Sequence, residues 1–268
     1  EPMQLAGCGA CPPCRRGDYH LCGGRDHDPQ RRRSAGFSEL DVADVGNVFP
    51  LPEQVSLAAA SLADVYACAV HAIHRVPIEM SSTVAILGTG PIGMALGQVA
   101  RAVGARRTIL VGRRPEPLDQ ALAAGAANHT VDASREESLA AAVRALTDGE
   151  GAAVVFEAVG GSGDTLRQAV AMARPGAVVG ILGAFVGDVA VAYREANAKE
   201  LDLRWSNGYS TWRGAREFQI ALGLIAEGRV EAAPLITHRY PLERIAEAFA
   251  AADDKRSSGA IKVVVEPS

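Results

Sequence analysis

The sequence lacks the features by which a chain usually binds a membrane or a nucleic acid. No run of about 18 consecutive apolar residues occurs, so we expect no membrane-spanning helix. The formal net charge is −4, which gives no overall positive field to attract nucleic acid. The densest basic stretch, Arg25–Arg33, is interrupted by Asp26 and Asp28 and is typical of a solvated loop. The composition therefore predicts a protein without a membrane or nucleic-acid partner.

Cysteine is scarce except in one short segment. After four cysteines in residues 8–22, only Cys68 follows. Thiolates with spacings of three, three and eight residues can reach one tetrahedral centre, as in a closed structural zinc site. A pair of disulfides is the alternative, but such frameworks are typical of small secreted chains. No signal-peptide pattern precedes these cysteines, and we expect reduced thiols and a cytoplasmic protein. The four candidate zinc ligands are Cys8, Cys11, Cys14 and Cys22.

From Thr83 onward the sequence alternates short apolar strands with helices. This alternation predicts an α/β fold with a doubly wound parallel sheet covered on both faces. The predicted strands are Val84–Leu87, Thr108–Val111, Ala153–Glu157, Ala177–Leu182, Leu201–Trp205 and the closing Ala260–Val265. The predicted helices are Ile92–Val103, Leu118–Ala124, Thr165–Ala173, one near Asn197, Arg213–Glu227 and Leu242–Ala252. Before this region we expect a strand over Phe37–Ala43 and an Ala-rich helix over Leu57–His74.

A glycine-rich turn joins the first of these strands to its helix. Such a GxGxxG turn between a strand and a helix is the fingerprint of a dinucleotide site. Its glycines permit a tight turn, a close approach to the pyrophosphate and close helix packing. The helix N-terminus then offers N–H groups to the anion. The residues are Gly88, Thr89, Gly90, Pro91, Ile92 and Gly93.

The end of the second strand bears on which dinucleotide binds. An NAD site usually has a carboxylate there for the ribose 2′-hydroxyl. This chain instead has Gly112, followed by Arg113 and Arg114. Because guanidinium groups pair well with phosphate, we expect NADP(H) rather than NAD(H). The alternative is that both arginines only point into solvent.

These motifs together resemble the zinc-dependent alcohol dehydrogenases of the medium-chain dehydrogenase/reductase family. The resemblance rests on the four-cysteine lobe, the fingerprint turn and the segment Gly112-Arg113-Arg114-Pro115. Four later segments are also similar to the family: Phe156–Gly160, Arg174–Gly176, Ile181–Gly183 and Gly259–Val264. The resemblance implies a Rossmann sheet plus part of a GroES-like β-rich catalytic domain. The implied boundaries are residues 1–54 for the catalytic-domain remnant with its zinc lobe, 55–208 for the cofactor domain, and 209–268 for a segment that returns to the catalytic domain.

The resemblance also implies an activity and further site residues. A family enzyme transfers a hydride between a small alcohol or carbonyl compound and a nicotinamide cofactor, with a catalytic zinc as Lewis acid. The segment Leu62–Ala72 resembles the stretch that enters the cofactor domain in this family, and Asp64 in it falls on the position of a catalytic-zinc ligand. Further along the chain, Val159 and Gly183 fall on cofactor-binding positions. The other zinc ligands of the family precede the lobe, so we expect further sequence and the remaining catalytic residues upstream of Glu1. Family members form homodimers or homotetramers, and the strand Leu201–Trp205 is the candidate interface.

Several residues and two functions remain open at this stage. His71 and His74 have a spacing that suits metal ligation, but such a pair more often packs at a helix end. Cys68 is better explained as a small core residue. Glu157 is either a ribose contact or a structural carboxylate. The alternative functions are a zinc-free quinone or enone reductase and a truncated, non-catalytic NADP-binding protein.

Overall fold

A six-stranded parallel sheet forms the centre of the molecule. The computed structural model describes residues 7–24, 36–43, 45–161 and 163–267. The sheet has the order β3-β2-β1-β4-β5-β6, so the chain reverses direction along the sheet between β1 and β4. In a sheet of this kind, ligands bind at the carboxyl ends of the strands where the order reverses. Its strands are β1 (Thr83–Leu87), β2 (Arg107–Gly112), β3 (His129–Asp132), β4 (Ala152–Glu157), β5 (Ala173–Ile181) and β6 (Asp202–Trp205).

Alternate residues of each strand enter two different hydrophobic cores, because side chains of a strand alternate between the two faces of the sheet. On β1, Val84 and Ile86 join one buried cluster, whereas Ala85 and Leu87 join the other. Helices cover both clusters, which explains why the strands are apolar throughout. The helices are α1 (Pro12–Arg16), α2 (Leu57–Ala60), α3 (Ala63–Arg75), α4 (Pro91–Ala102), α5 (Pro115–Ala123), α6 (Leu139–Ala145), α7 (Thr165–Met172), α8 (Tyr193–Ala198), α9 (Glu217–Ala226), α10 (Ile245–Asp253) and α11 (Lys255–Ser258).

Two small strand pairs lie outside the main sheet. β7 (Thr211–Trp212) and β8 (Ala215–Arg216) form an antiparallel hairpin just before α9. β9 (Ile236–Pro241) pairs in parallel with β10 (Lys262–Glu266). In the described part of the chain, none of the helices combines the length and apolar character that crossing a bilayer requires.

The predicted parallel sheet is confirmed, but several elements differ from the sequence-based expectation. The strand expected over Phe37–Ala43 is wrong, since this segment contains bends and no paired strand in its described residues. The helix expected over Leu57–His74 is broken at Ser61 and Leu62 into α2 and α3. The sequence pattern did not predict β3, α6 and β9, whose apolar runs are short. The basic stretch Arg25–Arg33 lies outside the described residues.

Candidate functional site

The four clustered cysteines converge on one point near the surface. Their sulfur atoms all lie within 4.8 Å of one another. Cys14 Sγ is 3.4 Å from Cys11 Sγ and 3.9 Å from Cys8 Sγ, and Cys11 Sγ is 3.8 Å from Cys22 Sγ. Sulfurs bound to one zinc ion at about 2.3 Å in a tetrahedron lie about 3.8 Å apart. The donor set and its spacing therefore fit a four-coordinate zinc ion.

Backbone groups around the cluster favour thiolates. The N–H of Cys11 donates to Cys8 Sγ and the N–H of Cys8 donates to Cys22 Sγ, both at 3.3 Å. Hydrogen bonds from the Cys11 and Ala10 backbone lower the pKa of Cys8 to about 6. Burial instead raises the pKa of Cys14 to about 12. A cation at the centre would favour the thiolate at all four positions.

The lobe that holds these cysteines (residues 7–24) packs against the hairpin segment (residues 209–217). The Tyr19 hydroxyl donates to the Ser210 carbonyl at 3.1 Å. The Thr211 N–H donates to the carbonyl of Gly17, also at 3.1 Å. The Arg216 guanidinium lies over the ring of Tyr19 at 5.8 Å. The position of the hairpin segment thus depends on the folded lobe.

The fingerprint turn has the geometry that an anion site needs. Gly88 has φ +121°, and a Cβ there would lie 2.9 Å from the Ala158 carbonyl oxygen. A Cβ on Gly93 would lie 2.0 Å from the Gly88 carbonyl oxygen, so only glycine lets α4 start this close to β1. Gly90 has open space at its Cβ position and begins α4 without a side-chain cap. The first turn of α4 is therefore open to a phosphate group.

The end of β2 lies beside this turn and carries the two arginines. A Cβ on Gly112 would lie 2.5 Å from Thr89 Cγ2, so the two loops touch. Arg113 is exposed. The half-buried Arg114 donates from its guanidinium to the Lys255 carbonyl at the start of α11. Sequence reasoning missed Asp132, which pairs in register with Gly112 and accepts from the Ser134 N–H at 2.9 Å.

Asp64 lies in the first turn of α3 and is half-buried. Its carboxylate lies close to the Tyr209 hydroxyl. Burial and the Asp64 carboxylate raise the pKa of Tyr209, and burial and the same carboxylate raise that of Cys68. Within the described ranges, the four lobe cysteines are the one group of three or more potential metal ligands. Asp64 therefore has no complete set of co-ligands there.

His71 and His74 bind a carboxylate that sequence reasoning missed. His71 Nδ1 lies 2.8 Å from Glu217 Oε2, and His74 Nδ1 lies 2.7 Å from Glu217 Oε1. The Ser210 N–H donates to Glu217 Oε2 at 2.5 Å. Glu217 is fully buried. Burial raises the pKa of Glu217, but these hydrogen bonds outweigh burial and hold it at about 2. The two histidines therefore pack as expected, and their partner is Glu217 at the start of α9.

The remaining predicted residues lie at the carboxyl ends of β4 and β5. Val159 follows β4 and is partly exposed. Gly183 follows β5, and its N–H donates to the Glu157 carbonyl at 3.1 Å. Among the aromatic residues nearby, Tyr209 is buried, Trp212 stacks on His74, and Trp205 is exposed at the edge of the sheet.

The chain is similar in sequence and in structure to known dehydrogenases. A family profile described as zinc-binding dehydrogenase matches residues 91–227. L-threonine 3-dehydrogenase of Anaeromyxobacter sp. (strain Fw109-5) is 30% identical over 97% of this chain and 72% of its own length. The solved structure of alcohol dehydrogenase TADH from Thermus sp. ATN1 has a TM-score of 0.82 at 28% identity, covering 98% of this chain and 75% of its own.

A second solved structure bears on the cofactor. It is a structure described as a zinc-binding dehydrogenase from Sinorhizobium meliloti 1021 bound to NADP, and it has a TM-score of 0.81 at 29% identity. The alignment covers 97% of this chain and 74% of that one.

Proposed function

Because the chain belongs to the zinc-binding dehydrogenase family, we propose that it transfers a hydride between a small alcohol or carbonyl substrate and NADP(H). The family resemblance drawn from the sequence is confirmed, and so is its class as an oxidoreductase acting on CH–OH groups. The choice of NADP and the roles of individual residues belong to the proposal. One observation carries it: an uncapped helix N-terminus lies beside a strand end that has arginines in place of a carboxylate.

Each cofactor residue has a distinct role in this proposal. The turn from Gly88 to Gly93 and the first turn of α4 hold the pyrophosphate through N–H groups. Arg113 and Arg114 pair with the 2′-phosphate. Val159 and Gly183, at the carboxyl ends of β4 and β5, are proposed to hold the nicotinamide half. When bound, the cofactor supplies the site for the hydride, and the hydroxyl proton of the alcohol leaves as H⁺.

The proposal also includes a structural zinc ion in the four-cysteine lobe. The sulfur spacing and the N–H donors to Cys8 and Cys22 support it. A closed set of four thiolates has no open position for substrate, so this zinc would stabilise the lobe without taking part in the reaction.

A catalytic zinc at Asp64 has less support. The described residues bring no second and third ligand to this carboxylate, so they do not by themselves fit a catalytic metal site. Asp64 stays a proposed zinc ligand on the family resemblance alone. The proposed domain boundaries, near residues 54 and 208, place Asp64 at the start of the cofactor domain.

Cofactor binding tests the proposal without requiring the substrate. We expect NADPH to bind more tightly than NADH, measured by the fluorescence of each reduced cofactor. In Arg114→Asp, the carboxylate would repel the 2′-phosphate, so the dissociation constant for NADPH should rise about tenfold or more. The constant for NADH should change much less.

A matched control separates this effect from a general change in charge. Arg194 on α8 is exposed, and α8 leads into β6 at the opposite edge of the sheet from β2 and β3. Arg194→Asp should leave both constants unchanged. Equal weakening of NADPH and NADH in Arg114→Asp would remove the NADP assignment, and binding of neither cofactor to the unmodified protein would remove the proposed function itself.

A further inference from the structure

Glu157 is a fully buried acidic side chain at the end of β4. This strand end borders the point where the strand order reverses, since β4 pairs with β1. The burial excludes the ribose contact considered from the sequence, because no part of the side chain reaches the surface. Burying a carboxyl group is unfavourable unless hydrogen bonds compensate for the lost water. Its partners therefore indicate what it does.

One oxygen of Glu157 folds the loop that follows its own strand. Oε1 accepts the N–H of Val159 at 3.0 Å and the N–H of Gly160 at 2.9 Å. Gly160 has φ +67°, and a Cβ there would lie 2.5 Å from the Ala184 carbonyl oxygen. The carboxyl group thus fixes a tight turn that only glycine can complete at this distance from the next loop.

The other oxygen faces the loop after β5. A Cβ on Gly183 would lie 2.2 Å from Glu157 Oε2, so the two are in close contact. Among the described residues, Oε2 has no hydrogen-bond partner. A buried polar atom without a partner is unfavourable for stability alone. The carboxyl group therefore lies between the two loops, with one oxygen against each.

The two loops also hold each other and touch the fingerprint turn. The Gly161 N–H donates to the Ala184 carbonyl at 2.8 Å, and the Val186 N–H donates to the Gly161 carbonyl at 3.0 Å. A Cβ on Gly88 would lie 3.2 Å from Val159 Cγ2. The loop that Glu157 folds therefore lies directly against the first glycine of the dinucleotide turn.

We propose that Glu157 is a positioning residue for the nicotinamide half of the cofactor. This inference rests on the proposed function, since it assumes a dinucleotide at the fingerprint turn. Glu157 touches neither cofactor nor substrate. It acts through Val159, Gly160 and Gly183, which it holds at the carboxyl edge of the sheet. In the proposal, the adenosine half lies at the end of β2 and the start of α5, beside Arg113 and Arg114, and should not depend on these loops.

The test compares ligands that fill the whole site or only its adenosine half. In Glu157→Ala, the dissociation constant for NADPH should rise about 10- to 100-fold, the loss expected when two ordinary hydrogen bonds disappear. The constant for 2′,5′-ADP, which lacks the nicotinamide half, should stay within about twofold of the unmodified protein. A change that only loosens the fold would weaken both ligands alike.

Conservative variants test whether the affinity for NADPH depends on the oxygen that accepts the two N–H groups. Glu157→Gln keeps one carbonyl oxygen that can accept both N–H groups, so it should restore most of the NADPH affinity. Glu157→Asp is shorter and should not reach the Val159 and Gly160 N–H groups. Thr108→Val is the matched control, because Thr108 Oγ1 is also buried without a partner among the described residues. It lies near the start of β2, far from these loops along the strand, and should leave both affinities unchanged.

The outcomes separate this inference from the proposed function. If the unmodified protein binds neither NADPH, NADH nor 2′,5′-ADP, the proposed function fails. If it binds NADH but not NADPH or 2′,5′-ADP, only the NADP assignment fails, and the comparison is repeated with NADH and ADP. If the protein binds cofactor but Glu157→Ala weakens both ligands equally, or neither, the positioning role of Glu157 is overturned.

Discussion

Glu217 joins three parts of the chain through one buried carboxyl group. It accepts hydrogen bonds from two histidines of α3 and from the backbone of Ser210. A carboxylate can only accept, so both histidines carry a proton on Nδ1. The partners His71 and His74 are 146 and 143 residues away in sequence. Sequence reasoning could note the two histidines but could not find their partner at this distance.

Glu217 should make the protein sensitive to acid. Its pKa is lowered from 4.5 to about 2 in the folded state, so the unfolded state binds the proton more readily. The stabilisation is therefore complete above about pH 4.5 and is lost as the pH falls toward 2, by about 3 kcal/mol in all. The free energy of unfolding, measured in urea, should fall by about 2 kcal/mol from this group between pH 7 and pH 3, since the loss is complete only below about pH 2.

Glu217→Gln is the control for this pH dependence. Glutamine has nearly the same shape but does not titrate, so the variant should be less stable than the unmodified protein at pH 7. The difference between the two should shrink as the pH falls, since protonation removes the charge from Glu217. A difference that stays constant from pH 7 to pH 3 would show that the carboxylate charge does not stabilise the fold.

At the scale of elements, the hairpin segment connects the cysteine lobe to α3. Asp64, Cys68 and His71 are spaced four and three residues apart and so share one face of this helix. From the two ends of the hairpin segment, Tyr209 lies close to Asp64 and Glu217 binds His71 on that face. The hairpin segment in turn packs on the cysteine lobe. Loosening of the lobe should therefore reach the surroundings of Asp64.

Loss of zinc from the lobe should have a local effect on structure. Because metal binding at such a site is coupled to folding, Cys14→Ser should lower the zinc content by one ion per chain, measured by mass spectrometry of the metal. Amide hydrogen exchange should then rise in residues 7–24 and in the hairpin segment. The strands β1, β4 and β5 should stay protected, since they pair with one another in the central sheet and the lobe contributes no strand to it.

Cys68→Ser provides the control within the same chain. Cys68 packs against the hydrophobic core rather than in the four-cysteine group, so this variant should keep its full zinc content. If Cys14→Ser retained its zinc, or if both variants lost it alike, the four cysteines would not be the zinc site.

At the scale of the whole molecule, the sheet has an edge at β6. The strand pairs with β5 on one side only in the described sheet. Trp205 at its end is 59% exposed, and Tyr193 on the preceding helix α8 is 72% exposed. An open edge with exposed aromatic residues is suited to pairing with another strand. We therefore keep the prediction that β6 pairs with its copy in a homodimer or homotetramer.

Sedimentation velocity at micromolar concentration tests this assembly. The unmodified protein should sediment as a dimer or tetramer, and Trp205→Glu should shift it toward the monomer because a charge at the interface is unfavourable. Val103→Glu, at another exposed apolar position beyond α4, should leave the assembly unchanged. A monomer in every case would remove the β6 interface.

The sequence by itself determined what depends on local pattern. The alternation of apolar strands and helices predicted the parallel sheet, because buried strands must be apolar along their whole length. The spacing of the cysteines and of the fingerprint glycines predicted two groups whose members lie within about 20 residues of one another. Short elements such as β3 were missed because four residues carry too little periodicity.

The tertiary structure alone decided what depends on contacts between distant segments. Three contacts form only when separate elements pack together. Glu217 binds His71, the Arg114 guanidinium donates to the Lys255 carbonyl, and Tyr209 lies close to Asp64. Glu157 was visible as an acidic residue at a strand end, but its burial and its contact with Gly183 appear only in the folded chain. The physical reason is that hydrogen bonds in the interior are set by the packing of whole elements, which no local pattern specifies.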